Sequence, residues 1–68
     1  MKYEVDIYWS ERDDCFLAEA PDLPGCMADG PTYEEALAMI QEVMKIWLAD
    51  AVRNGEELPQ PRLRALTA

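Results

Sequence analysis

The sequence predicts an α+β domain, a three-stranded antiparallel sheet with one long helix packed on one face, in the order β-β-β-α. Three observations predict it. The chain opens on period-two alternation of aromatic and β-branched residues, the pattern of a half-buried strand. Clusters of turn-forming residues then cut residues 11–31 into strand-length pieces. A single amphipathic stretch of about twenty residues follows, with apolar positions three and four apart. One helical stripe and one sheet face must bury each other, which gives two layers.

In the first strand, residues 2–10, Tyr3, Val5, Ile7 and Trp9 fall on one face and Lys2, Glu4, Asp6, Tyr8 and Ser10 on the other. Glu11-Arg12-Asp13-Asp14 is a polar turn in which aspartates bond their own backbone. The second strand, 15–20, returns as a hairpin. Setting Ser10 opposite Cys15 puts Trp9 by Phe16 and Ile7 by Ala18 on the apolar face. The same register sets Tyr8 by Leu17 and Asp6 by Glu19 on the other face, and a slip of one residue would scramble both.

Pro21-Asp22-Leu23-Pro24-Gly25 is a stiff loop with two prolines and a glycine. The third strand, 26–30, returns antiparallel to the second. Pairing about the loop is expected to place Cys26 near Glu19 and Cys15 near Gly30, too far apart for a disulfide. Pro31-Thr32-Tyr33-Glu34-Glu35 starts a helix. Thr32 caps through its hydroxyl, Glu35 completes a capping box, and both glutamates suit the positive end of the helix dipole. Ala36, Leu37, Ile40, Val43, Met44, Trp47, Leu48 and Ala51 form the core-facing stripe of a helix over 33–53. Asn54-Gly55 stops it. Met39 and Ile46 lie off the stripe, as surface apolars or a subunit contact. Leu58-Pro59-Gln60-Pro61 cannot be a central strand; residues 62–66 alternate and are able to form a short fourth edge strand.

Sixty-eight residues make one domain, 1–68, with a small core. Half the residues are hydrophobic, so association into a homodimer or homotetramer is expected as a further source of buried area. Fourteen acidic residues against six basic ones give a net charge of −8. The scattered Lys and Arg form no patch for phosphates, so direct DNA binding is not expected. A surface this acidic suits a cationic partner or simply solubility. There is no histidine, which removes the commonest general base and transition-metal ligand. Cys15 and Cys26 have no short metal-ligand spacing, and no cofactor is expected. No signal peptide opens the chain and no apolar run would span a bilayer, so the cytoplasm is the expected compartment.

The run Ala18-Glu19-Ala20-Pro21-Asp22-Leu23-Pro24-Gly25-Cys26, followed by Gly30-Pro31-Thr32-Tyr33-Glu34-Glu35-Ala36-Leu37, resembles the signature of the HicB-like antitoxins. Pro21, Pro24, Gly25, Thr32 and Glu35 carry its structural motif, and Asp13-Asp14 and the Pro-x-Pro near residue 60 also match. The resemblance covers nearly the whole chain. It implies a fold like a partial ribonuclease H domain and a non-enzymatic role, binding and neutralising a small basic HicA-like ribonuclease toxin. Many members carry an added DNA-binding segment; none is expected within residues 1–68.

Asp6, Tyr8, Leu17, Glu19, Asp22 and Leu23 are the candidate partner-binding residues. If the helix covers the Trp9 face, Tyr8 and Leu17 lie open beside Asp6 and Glu19. That pair of carboxylates repels unless a cation relieves it. Two carboxylates are too few for two-metal nuclease chemistry, so the ribonuclease H likeness is read as shape without catalysis. Leu23, held between prolines, is either a core plug or an exposed contact. The alternative to toxin binding is a solitary homo-oligomeric regulatory or structural domain.

Overall fold

The structure, a computed structural model, describes residues 3–61 of the chain. Strands β1 (Asp6–Ser10), β2 (Cys15–Glu19) and β3 (Met27–Gly30) form one antiparallel sheet in the order β1-β2-β3. Helix α1 (Tyr33–Arg53) crosses one face of it. The expected α+β class and the β-β-β-α order are therefore observed. Residues 62–66, the expected edge strand, lie outside the described residues.

The β1–β2 register pairs Asp6 with Glu19, Tyr8 with Leu17 and Ser10 with Cys15, as alternation requires. The turn between them is built from its own side chains. Ser10 donates its hydroxyl to the Asp13 carboxylate at 3.1 Å and accepts the Asp13 amide at 3.2 Å. Asp14 closes the turn at φ 53°, a conformation Asp tolerates better than most residues. Strand pairing starts at Asp6, not at residue 2. Glu19, opposite Asp6, is the last residue of β2, so residues 3–5 have no strand residue of β2 opposite them.

The third strand is in a different register from the one expected. Glu19 pairs with Met27 and Phe16 with Gly30, one residue along. The loop sets this. Leu23 donates its amide to the Ala20 carbonyl and Cys26 donates to the Leu23 carbonyl, both at 3.0 Å. The Ala20 amide then donates to the Cys26 carbonyl at 3.1 Å. Ala20 and Cys26 are thus opposite each other, and Cys26, Ala28 and Gly30 face the helix while Met27 and Asp29 face away.

Thr32 caps α1, its hydroxyl accepting the Glu35 amide at 3.1 Å. At the other end the Gly55 amide bonds the Val52 carbonyl and the Glu56 amide bonds the Ala51 carbonyl. That is the Schellman pattern, with Gly55 at φ 72° in the left-handed position. The helix touches β3 most and β1 least. Ala18, Ala20, Leu23, Cys26, Ala36, Ile40 and Met44 form the core between the layers. Leu23 and Ile40 are its largest fully buried aliphatic side chains, each stabilising by roughly 1.5–3 kcal/mol. Alanines supply much of the rest, so the layers sit close together.

The closest approach is at Gly30. A Cβ there would lie 2.6 Å from the Ala36 amide nitrogen and 2.9 Å from the Glu35 carbonyl carbon. Only hydrogen fits between the end of β3 and the first turn of α1. Trp9, expected beneath the helix, is instead 45% exposed. The helix lies toward β3, so β1 is only partly roofed. Trp9 meets Phe16 edge-on with ring centroids 5.1 Å apart, and Phe16 meets Tyr33 at 6.1 Å.

Candidate functional site

Because side chains alternate along a strand, the face of the sheet away from α1 is fixed by the register. It carries Asp6, Tyr8 and Ser10 from β1, Cys15, Leu17 and Glu19 from β2, and Met27 and Asp29 from β3. The cross-strand rows are Asp6–Glu19–Met27 and Tyr8–Leu17–Asp29. Tyr8 is 43% exposed and Met27 52%, with Leu17 half-buried between them. An apolar diagonal, Tyr8–Leu17–Met27, therefore crosses this face from β1 to β3, with carboxylates on either side of it. A shallow hollow at its β3 side is lined by Leu17, Met27, Ala28 and Asp29.

No lysine or arginine stands on this face among the described residues. Arg12 is exposed at the hairpin tip. Lys45 pairs with Glu42 at 3.5 Å and Arg53 with Asp50 at 3.4 Å, both on the helix. The effect of the local charge reaches Cys15. Its thiol is pushed above the ordinary range by partial desolvation first, then by the carboxylates of Asp29, Asp13 and Asp14. Cys26, buried in the core, is raised by desolvation alone. Neither is a poised nucleophile, since a raised thiol is a protonated thiol at neutral pH.

The expected site residues separate into groups. Asp6, Tyr8, Leu17 and Glu19 do come together on one open face. Asp22 is half-buried in the loop and carries an interaction of its own. Leu23 is corrected: at 1% exposure it is the core plug and offers no surface contact. The prolines on either side bend the loop so that this one side chain points inward. Met27 and Asp29 join the open face against expectation. Counting about the loop assigns them to the helix side, and the Ala20–Cys26 pairing moves them out.

The described residues hold no group of three or more Cys, Asp or Glu side chains placed to bind a metal ion. No helix among them is long and apolar enough to cross a membrane.

Comparison with known proteins gives one family and several relatives. The family profile described as "HicB_like antitoxin of bacterial toxin-antitoxin system" matches residues 3–67. A UPF0150 protein of Thermoplasma acidophilum is 31% identical over 67 residues, covering 98% of this chain and 96% of that protein. A UPF0150 protein of Synechocystis sp. is 39% identical over 59 residues, covering 87% and 80%. A UPF0150 protein of Helicobacter pylori is 43% identical over 35 residues, covering 52% and 49%. No solved structure matches.

Proposed function

The chain belongs to the HicB_like antitoxin family, and from that premise we propose that it binds and neutralises a small basic ribonuclease toxin of the HicA-like type through the open face of its sheet. The observation that carries the reading is the make-up of that face: an apolar diagonal of Tyr8, Leu17 and Met27, with Asp6 and Glu19 on one side, Asp29 on the other, and no described cation among them. Apolar anchors at the centre of an interface supply most of the affinity. A margin of one sign speeds encounter with an oppositely charged protein and rejects others. An RNA-cleaving partner must carry Lys and Arg to hold phosphates, so the same cations that grip RNA would be drawn to this margin. Neutralisation then follows from occupancy, with no catalytic step in this chain and a cytoplasmic setting.

Co-expression with a small basic HicA-like ribonuclease tests this. The expected result is co-purification and rescue of growth. Leu17→Lys should abolish rescue while leaving the fold intact by circular dichroism, and Ile46→Glu on the helix should not. Full rescue by a folded Leu17→Lys chain would sink the assignment of this face, and failure of any complex to form would sink the antitoxin reading itself.

A further inference from the structure

Strand β3 is an edge: no strand pairs beyond it among the described residues. The Ala20 amide donates to the Cys26 carbonyl, so these two form a hydrogen-bonded pair of the antiparallel ladder. Such pairs alternate along a ladder. Ala18–Ala28 and Phe16–Gly30 are therefore the next bonded pairs, and the backbone N–H and C=O groups of Met27 and Asp29 point outward from the sheet. An open row of donors and acceptors is a template for another strand. The described segment after α1 runs along the other side, where the Tyr3 hydroxyl donates to the Pro59 carbonyl just before β1.

The helix supplies a second, independent feature. At 100° per residue, Met39, Val43 and Ile46 fall within an arc of about 60°. Met39 is 52% exposed and Ile46 61%, beside half-buried Val43. This apolar seam continues the core stripe onto the helix flank. Two of the carboxylates beside it are paired, Glu42 with Lys45 and Asp50 with Arg53. On a chain of net charge −8, that makes it a surface a like-charged molecule can approach.

We propose that a second copy of this chain docks here, β3 against β3, antiparallel about a two-fold axis through Ala28, with the two Met39–Val43–Ile46 seams meeting above a six-stranded sheet. Face parity requires a residue to pair with its own counterpart if both helices are to lie on one side. Centring on Ala28, unlike Met27 or Asp29, lets both outward-pointing residues bond the partner strand and keeps the two Asp29 carboxylates from facing each other. With Ala28 on the axis, Met27 of each copy exchanges hydrogen bonds with Asp29 of the other, and the small Ala28 occupies the close, non-bonded position. Each helix rides mainly over β3 and less over β2. Adjacent strands about 4.8 Å apart would then carry helices at roughly the 8–10 Å at which helices pack. The two helices run antiparallel, so their dipoles attract. The thin, alanine-rich core supplies the need, since so small a domain gains from burial between subunits.

Sedimentation equilibrium of the full chain tests the proposal, with hydrogen exchange as a second readout. The wild type should be a dimer in which the Met27 and Asp29 amides are protected. A Met39→Glu, Ile46→Glu double variant should keep its fold and dissociate roughly 100-fold more readily or worse, with those two amides exchanging faster. Leu17→Lys, on the open face, should leave the mass unchanged. The proposal is overturned by a wild-type monomer at about 100 μM, where specific dimers are populated. A dimer indifferent to the double variant, or one broken by Leu17→Lys, overturns it as well. Should the double variant not fold, a dilution series of the wild type decides. Met27 and Asp29 amides that exchange freely while the mass is dimeric reject the β3 interface.

Discussion

The indole N–H of Trp47 donates to the backbone carbonyl of Pro24 at 3.0 Å, tying the later half of the helix to the loop that feeds β3. The loop's bonds fix the register of β3, so this contact reaches the strand through the loop. Trp47→Phe keeps the apolar packing and deletes the donor. It should lower stability by about 1 kcal/mol, the net worth of one such bond. Urea unfolding should show a shifted midpoint with an unchanged slope, and the Cys26 amide should exchange faster.

Gly30 and Gly25 should respond differently to alanine. At Gly30 the new methyl meets backbone atoms of Ala36 and Glu35 that cannot rotate away. Gly30→Ala should cost about 2–3 kcal/mol, as overpacking against a rigid neighbour does. Gly25 is at φ 78°, and a methyl added there would meet nothing within 4 Å, so Gly25→Ala carries only the left-handed penalty of about 1–2 kcal/mol. Thermal unfolding of the two variants should rank Gly30→Ala as the more damaging.

Both thiols are held above their ordinary range, Cys15 by desolvation and then by Asp29, Asp13 and Asp14, and Cys26 by desolvation. The unfolded chain releases thiol protons at about pH 8.5, where the folded chain still holds them. Stability from this source is therefore complete at neutral pH and declines as pH rises through the folded-state values. The urea midpoint should fall as pH rises above about 8.5. A Cys15→Ser, Cys26→Ala variant, whatever its baseline, should show a flatter fall. Cys15 should also react slowly with iodoacetamide at pH 7.5.

Salt should act in opposite directions on the free domain and on its complex. At net charge −8, self-repulsion in the folded state is screened by salt, so the unfolding midpoint should rise with NaCl. The association rate with a basic partner should fall by roughly tenfold between low and high salt. Glu19→Gln with Asp29→Asn should reduce both that rate and its salt dependence. Stopped-flow fluorescence measures the rate; an unchanged salt slope would remove Glu19 and Asp29 from the encounter surface.

Most of the fold is legible in the sequence because alternation and helical spacing are local signals. Tyr8 opposite Leu17 follows from counting across a short turn, and the helix ends follow from Thr32 and Gly55. The third strand is displaced by one residue because the loop's internal bonds, Leu23 to Ala20 and Cys26 to Leu23, consume a position that simple counting cannot see. That single residue hides Met27 and Asp29. The exposure of Trp9 depends on where the helix lies across the sheet. That placement is set by Gly30 against Ala36, a tertiary contact with no local signal. Leu23 is ambiguous in sequence for the same reason, since whether a residue between two prolines points in or out is decided by what lies beneath it.

Gly30 against the first turn and Trp47 on Pro24 fasten the helix at two points, both on the β3 side. Protection against transient opening should therefore be graded across the sheet. Amides of the β2–β3 ladder, and those bonded within the fastened helix, should exchange only with global unfolding, while the Asp6–Ser10 ribbon peels away at lower free energy. Tyr8 belongs to that looser ribbon and Met27 to the fastened strand, so a molecule gripping both would staple the sheet shut and slow its breathing.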